Sequence, residues 1–272
     1  MQNVINRLRR WNHTRIAKRR ARAAQDIKVP HVLGVLGIMK NESMNILEWI
    51  EHYRSQGCAQ IYLIDNDSTD DTVSKIDHHI SDGLVRLIEL PERHKQVQHY
   101  WSAFDHFDIR SHCQWLIIAD IDEFWFCKDG ECLSDAIKGY QSFNVVYVNW
   151  SIFGSNDFVE HPKSLRKYLT KRAPALADNR FTKFVFRTDA LERTSDIGVH
   201  KIKGCCSATT ISDNQKFQLN HYVTQSLEYF TNVKMTRGDV AKDLNEGVRT
   251  LEYFENYNRS CVVEDTLLAD RL

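Results

Sequence analysis

The sequence predicts an α/β fold of Rossmann type: a mostly parallel sheet covered by helices, then an irregular second half. Three observations predict it. Apolar runs of strand length alternate with amphipathic stretches of helix length between residues 31 and 119. Glycines and hydroxyl or acidic residues mark the junctions, where helices stop and start. Polar residues gather directly after the apolar runs, at the strand ends where open α/β sheets bind ligands.

His31–Met39 is a nearly continuous apolar run, as expected of a strand covered on both faces. A helix opens at Ser43, carries Ile46, Leu47 and Ile50, and stops at Gly57. Gln60–Ile64 is the second strand. The next helix begins after Ser68, with Asp71 three residues on as a capping-box variant and Gly83 as its stop. Val85–Leu90, Gln96–Arg110 and Gln114–Ala119 read as strand, helix and strand. Repeats of this length favour parallel pairing with right-handed crossovers. Beyond Tyr140 the pattern loosens, with strands at Val145–Trp150 and Phe181–Arg187 and a helical stretch over Ser226–Arg237. Without an internal repeat or low-complexity linker, residues 29–272 form one domain behind a segment spanning 1–28.

With 272 residues, 42% apolar and 26% charged, the chain can bury a large core, and 11 Gly with 4 Pro exclude collagen-like and wholly disordered classes. No apolar run approaches the roughly 20 residues of a membrane span. The net charge of zero hides an asymmetry: the first 27 residues hold eight Lys/Arg and Asp26, leaving 28 basic and 35 acidic residues behind. Met1, Val4, Ile5, Leu8 and Trp11 fall at helical spacing among these arginines. Such a basic amphipathic segment suits an anionic membrane surface, with a solvated tail as the plain alternative. The acidic body and the lack of a basic, aromatic groove argue against nucleic acid. Seven Cys without zinc-site spacing indicate free thiols, and no apolar stretch follows the arginines as in a secretory signal. A cytoplasmic location, peripheral at the inner face of the membrane, is expected.

Three strand ends carry the candidate chemistry: Lys40-Asn41-Glu42, Asp65-Asn66-Asp67-Ser68, and Asp120-Ile121-Asp122-Glu123. Acidic clusters on one sheet edge repel unless a cation or hydrogen-bond donors sit among them. Asp120 and Asp122 can offer hard oxygens to Mg²⁺ or Mn²⁺, which keeps positions open for phosphates; capping of the next turn is the alternative. Asp65-Asn66 stands where this architecture holds a ribose or base, or forms a turn leading to Ser68. Glu48, Trp49, His52 and Tyr53 read mostly as packing and surface.

Together these pieces resemble GT-A glycosyltransferases of the family 2 and family 92 type. The similarity rests on Val35–Glu42, Glu48-Trp49-Ile50, Asp65-Asn66, Trp115–Phe124, Trp150 with Phe153-Gly154-Ser155, and Leu219–Tyr222 with Ser226, Lys234 and Arg237-Gly238. It implies a nucleotide-sugar donor, Mn²⁺ or Mg²⁺, and transfer to a glycan or lipid-linked acceptor, usually with inversion. Asp120 and Asp122 would take the metal role, with His200 or His221 completing it. Asp65 and Asn66 would face the nucleoside, and Asn41 and Glu42 would line the same pocket. For the base that inversion needs, Asp157 is favoured over Glu160 and Asp196, against a simple turn role. Lys183 and Arg187 alternate on one strand face, toward the diphosphate or solvent. A nucleotidyltransferase is disfavoured by the absence of a glycine-rich phosphate loop. A non-catalytic binding protein of the same fold is disfavoured by the intact Asp120 and Asp122.

Overall fold

The computed structural model describes residues 29–174, 181–191, 196–203, 209–237 and 249–272. The basic segment over 1–28, and with it the expected membrane contact, lies outside the described residues. Among those described, no helix is long and apolar enough to cross a membrane, and Cys58, Cys113, Cys127, Cys132 and Cys261 are free thiols.

Strand β1 (His31–Met39) alternates between two cores. Leu33 and Val35 point to one face, where helix α1 (Ile46–Ser55) lays Ile46, Trp49, Ile50 and Tyr53. Leu36 points to the other, against Tyr100, Ala103 and Phe104 of α2 (Gln96–His106). Strand β2 (Gln60–Asp65) lies parallel to β1 with Met39 opposite Asp65, and β3 (Val85–Glu89) continues parallel beyond it. Strand β4 (Cys113–Ile118) pairs parallel on the other side of β1. This half matches the sequence expectation closely.

Three local differences have physical causes. Leu47 is exposed, because burial on α1 follows Ile46, Trp49, Ile50 and Tyr53. The helix expected after Ser68 is two short turns, Thr72–Lys75 and Asp77–Ser81, and Asp70 rather than Ser68 accepts from the first-turn Thr72 N–H, at 3.0 Å. The helix expected over Gln96–Arg110 breaks at Asp108, whose φ of 46° is left-handed, and resumes over Ile109–His112. Gly57 and Gly83, with φ of 80° and 83°, stop helices as their sequence positions suggest.

The second half is less irregular than expected, because antiparallel strands extend the sheet. After β5 (Glu123–Cys127), β6 (Val145–Phe153) and β7 (Lys171–Arg172), strand β8 (Thr182–Arg187) pairs antiparallel with both β4 and β6. A short hairpin of β9 (Asp196–Ile197) and β10 (Ile202–Lys203) follows, then β11 (Thr210–Ser212) along β6. Strand β12 (Phe217–Tyr222) runs parallel to β6 and antiparallel to β5, placing His221 opposite Glu123. Helices α3 (Leu227–Asn232) and α4 (Leu251–Ser260) and strand β13 (Val263–Glu264) complete the described chain.

Helix α1 is bolted to the segment around β5. Trp49 Nε1 donates to the Asp120 carbonyl at 2.9 Å, Tyr53 OH to the Glu123 carbonyl at 3.0 Å, and His52 Nε2 to the Trp125 carbonyl at 2.7 Å. The proton of His52 must sit on Nε2, since a carbonyl only accepts, and Nδ1 accepts from Arg166 at 3.2 Å. Burial first, and the Arg166 charge second, pull the imidazole from 6.5 down to about 3, against the hydrogen bond to Trp125. The unfolded chain therefore takes up this proton near pH 6.5 while the native state refuses it, so stability is lost as pH falls from 6.5 toward 3, by ~1.4 kcal/mol per unit. In His52→Gln this loss disappears. Denaturant unfolding should show wild type ahead at pH 7.5 and the gap closing by about 2 kcal/mol at pH 5; a gap independent of pH contradicts this role.

Candidate active site

The carboxyl ends of β1, β2 and β4 open into a cavity of about 620 Å³. Its floor holds Glu42, Asp120 and Asp122, and its walls bring Lys234, Arg237 and His221 from the second half of the chain.

The acidic strand ends are neutralised from within. Asp120 Oδ2 accepts from Lys183 Nζ at 2.8 Å, and the same fully buried ammonium lies 3.5 Å from Glu123 Oε2. Glu123 also accepts from the Asp120 N–H at 2.9 Å and from Trp150 Nε1 at 2.7 Å. Burial pushes the Glu123 carboxyl well above its ordinary range against the pull of Lys183, and the charges of Asp120 and Asp122 add to the rise. Asp122 Oδ2 meets Lys234 Nζ at 2.5 Å, and Oδ1 lies 3.5 Å from His221 Nε2. Burial would raise Asp122, yet Lys234 and His221 hold it well below the carboxylate range. Asp122 is therefore ionised and buried.

Glu42 is held by a third cation. Its Oε1 accepts from Arg237 at 2.5 Å, and its Oε2 accepts from Tyr229 OH at 2.7 Å and Asn45 at 3.1 Å. Arg237 also donates to the Lys40 carbonyl, which fastens the segment after α3 across the end of β1. Asn41, at a φ of 52°, accepts from the Thr69 N–H at 2.7 Å and joins the loops after β1 and β2 without lining the cavity. Asn66 does line it, while its side chain ties down the β3 loop through the Leu90 and Glu92 carbonyls. Asp65 stands behind: Oδ2 accepts from the Ser68 N–H at 3.1 Å, and Oδ1 is buried without a partner. Of the four residues expected to face the nucleoside pocket, Glu42 and Asn66 reach the cavity.

Asp120 and Asp122, expected to share one cation, both line the cavity. Lys183 pairs with Asp120, and among the described residues the donor group close enough to hold an ion with three ligands is the surface cluster His78, His79 and Asp82. Asp122 Oδ1 and His221 Nε2 nevertheless fit a shared cation. Two donors about 2.1 Å from one ion lie roughly 3.0 to 3.4 Å apart, close to the 3.5 Å here. The His221 Nδ1 is buried without a partner. His200 also lines the cavity, but its Nδ1 is 3.2 Å from the Thr182 carbonyl and its ring packs against both Trp150 and Phe181. His221, from β12, is thus the histidine beside Asp122.

Asp157 does not line the cavity. The chain leaves β6 through a tight turn in which Asn156 and Asp157 both take positive φ, at 48° and 63°, leaving Asp157 exposed beyond the strand end. Glu160 is exposed in the same loop, and Asp196 lies 3.6 Å from Lys203 on the β9–β10 hairpin. None of the three is a cavity carboxylate. Lys183 and Arg187 share a strand face as expected, but both are buried: Arg187 pairs with Asp189 at 2.6 Å, away from the cavity. Arg93, Lys95 and Gln96 also line the cavity, from the segment after β3, and obey the same strand-end rule as the segments after β1, β2 and β4. Arg249, Tyr253 and Tyr257 carried no such signal, since α4 reaches the cavity only through tertiary packing.

An open α/β sheet with acidic and cationic groups facing one another at its strand ends is an arrangement that binds a ligand in the crevice outside those ends. The model of glycosyltransferase family 92 matches residues 34–265, and the chain belongs to that family. A family 92 protein of Ricinus communis is 28% identical over 113 residues, covering 40% of this chain and 20% of its own length. One of Oryza sativa subsp. japonica is 23% identical over 215 residues, covering 74% and 34%. The chain thus spans between a fifth and a third of these curated relatives. Among solved structures, S. aureus TarS 1-349 in complex with UDP-GlcNAc aligns with a TM-score of 0.45 at 13% identity, over 85% of this chain and 73% of that one. GalNAc-T7 with UDP, GalNAc and Mn²⁺ gives 0.41 at 16%, over 73% and 45%.

Lys183→Met tests the buried counter-charge. Leaving Asp120 and Glu123 without it should cost about 3–5 kcal/mol in denaturant unfolding. A loss below about 1 kcal/mol, as for an exposed pair, would show that the network does not hold the strand ends together.

Proposed function

We propose that this chain transfers a sugar from a nucleotide-sugar donor to a glycan or lipid-linked acceptor, with inversion, in a cavity that takes the donor diphosphate against Asp122, His221 and Lys234. The observation that carries the reading is the placement of buried, ionised Asp122 between an imidazole and an ammonium on the wall of one strand-end cavity. A carboxylate in that position is of little use to a purely anionic ligand unless cations accompany it.

Asp122 Oδ1 and His221 Nε2 would hold Mn²⁺ or Mg²⁺, which when bound supplies positive charge to the leaving diphosphate. The chain's own residues do the rest. Lys234 is buried beside Asp122, and burial lowers its ammonium below the ordinary range while Asp122 opposes the shift. Arg249 also faces the cavity, so two cations stand ready for phosphate oxygens without being spent wholly on the floor. Arg237, fixed by Glu42, shapes that wall rather than reaching freely into it. Asn66 and the loop it ties down, with Lys95 and Gln96, form the end suited to the nucleoside. Asp120 lines the cavity, and its Oδ1, held by a long 3.4 Å contact from Gln96, would accept from a ribose or sugar hydroxyl.

Asp122→Asn keeps the shape and removes the charge. With a panel of nucleotide-sugars and Mn²⁺ or Mg²⁺, wild type should gain thermal stability with the cognate donor, and the variant should lose that gain together with about 100-fold of its turnover. Asp157→Asn should retain wild-type turnover. Full turnover of Asp122→Asn, or of wild type in EDTA, would remove the metal from the proposal.

A further inference from the structure

At the amino end of β3, away from the cavity, three metal-ligating side chains face one point. His78 and His79 stand on the second short turn, Asp77–Ser81, and Asp82 follows it directly, ahead of Gly83 and the strand. Neighbouring residues on a helix ordinarily point about 100° apart. Here the two imidazoles stack instead, with ring centroids 4.8 Å apart and planes inclined by 27°. Each Nδ1 lies 3.9 Å from the same oxygen, Asp82 Oδ2. That separation is too long for a hydrogen bond, and a protonated ring paired directly with the carboxylate would close to about 2.8 Å. The His79 Nδ1 is instead buried without a hydrogen-bond partner. Asp82 is aimed as well: its Oδ1 accepts from the Leu84 N–H at 2.9 Å, which fixes the carboxylate with Oδ2 toward the rings.

We propose that His78, His79 and Asp82 form a zinc site separate from the cavity, and that the ion staples the end of this turn to the start of β3. One donor atom from each of the three lies within 4.8 Å of the other two. Donors about 2.1 Å from one ion stand about 3.4 Å apart in a tetrahedral site, so each 3.9 Å gap closes by about half an ångström on binding. Small rotations of exposed side chains supply that movement, since His78 is 78% exposed and Asp82 43%. Two imidazoles with one carboxylate suit Zn²⁺, whereas Mg²⁺ and Ca²⁺ prefer oxygen throughout. Water takes the fourth position on the open side. The turn gains from such a staple because it has little else to hold it: Asp77–Ser81 is five residues long and none of them is fully buried. A helix so short is not sustained by its own hydrogen bonds. Three ligands from its last residues fix the chain where it reverses through Gly83, at a φ of 83°, into β3. None of the three lines the cavity, so the ion serves the fold and stands outside the transfer reaction.

The test titrates the full chain with Zn²⁺ by calorimetry, in a His221→Gln background so that the cavity offers no imidazole beside Asp122. That chain should take up one equivalent at micromolar zinc and keep it in millimolar Mg²⁺. His78→Ala and Asp82→Asn, each added to the background, should weaken the uptake at least about 10-fold. Both positions are exposed, so neither substitution opens the core. Zinc should also raise the melting temperature of the parent chain, because the ion binds only where the turn is folded, and that gain should vanish in both variants. In the otherwise wild-type chain the same two substitutions should lower the zinc content by one equivalent, which keeps the comparison valid if His221→Gln does not fold. Absence of uptake at micromolar zinc overturns the proposal, as does an affinity unchanged in both variants, which would place the ion on other histidines. Displacement of the zinc by millimolar Mg²⁺ overturns it too, since an all-oxygen site would then be holding the ion. Uptake lost in both variants without any zinc-dependent gain in melting temperature overturns the staple.

Discussion

Charge balance at the strand ends is the constraint on which the rest of this structure depends. A parallel sheet brings its carboxyl ends together, and here the ends of β1 and β4 bring Glu42, Asp120 and Asp122 into one cavity. Such a floor cannot be buried ionised unless cations are delivered to it. The chain delivers them from elsewhere: Lys183 from β8, Lys234 and Arg237 from the segment after α3. Each pair joins the first half of the sequence to the second. The same contacts that neutralise the site therefore also fix the antiparallel strands and the late helices on the parallel half.

The network distributes different duties to adjacent carboxylates. Asp120 and Glu123 share a fully buried ammonium, and Glu123 orients Trp150, so this pair supports the cavity wall. Asp122, one residue from Asp120, turns to Lys234 and His221 instead. The split falls at a turn, since Ile121 and Asp122 lie between β4 and β5 rather than in an extended strand. Glu42 differs again: it lies in the cavity, but its oxygens are taken up by Arg237, Tyr229 and Asn45. Its duty is to hold an arginine in place.

Helix α1 shows how a motif can serve structure while resembling chemistry. Glu48 accepts from the Leu165 N–H at 2.8 Å and from Arg166 Nε at 2.9 Å, and Trp49, His52 and Tyr53 fasten the backbone on both sides of Asp122. Packing was the sequence expectation for these residues. Their effect is nonetheless on the site, since the carbonyls they hold belong to Asp120, Glu123 and Trp125.

The sequence by itself determined the parallel half, because strands covered on both faces and helices with one apolar stripe write periodicities that local reading detects. It also carried the resemblance to glycosyltransferases of the family 2 and family 92 type, through short motifs in order, and the strand-end position of Asp120 and Asp122. Strand β5 was hidden from it, since five buried residues so soon after β4 look the same whether they form a strand or a loop. Tertiary structure alone decided which partner each charged group meets. Asp120 and Lys183 are 63 positions apart, Asp122 and Lys234 112, and Glu42 and Arg237 195. No local pattern encodes such pairings, because they depend on how β8, β12 and α3 are laid beside the sheet. The same reason removed Asp157 from the cavity and brought His221 to it: a residue's type fixes what chemistry it can do, and the path of the distant chain fixes where it does it.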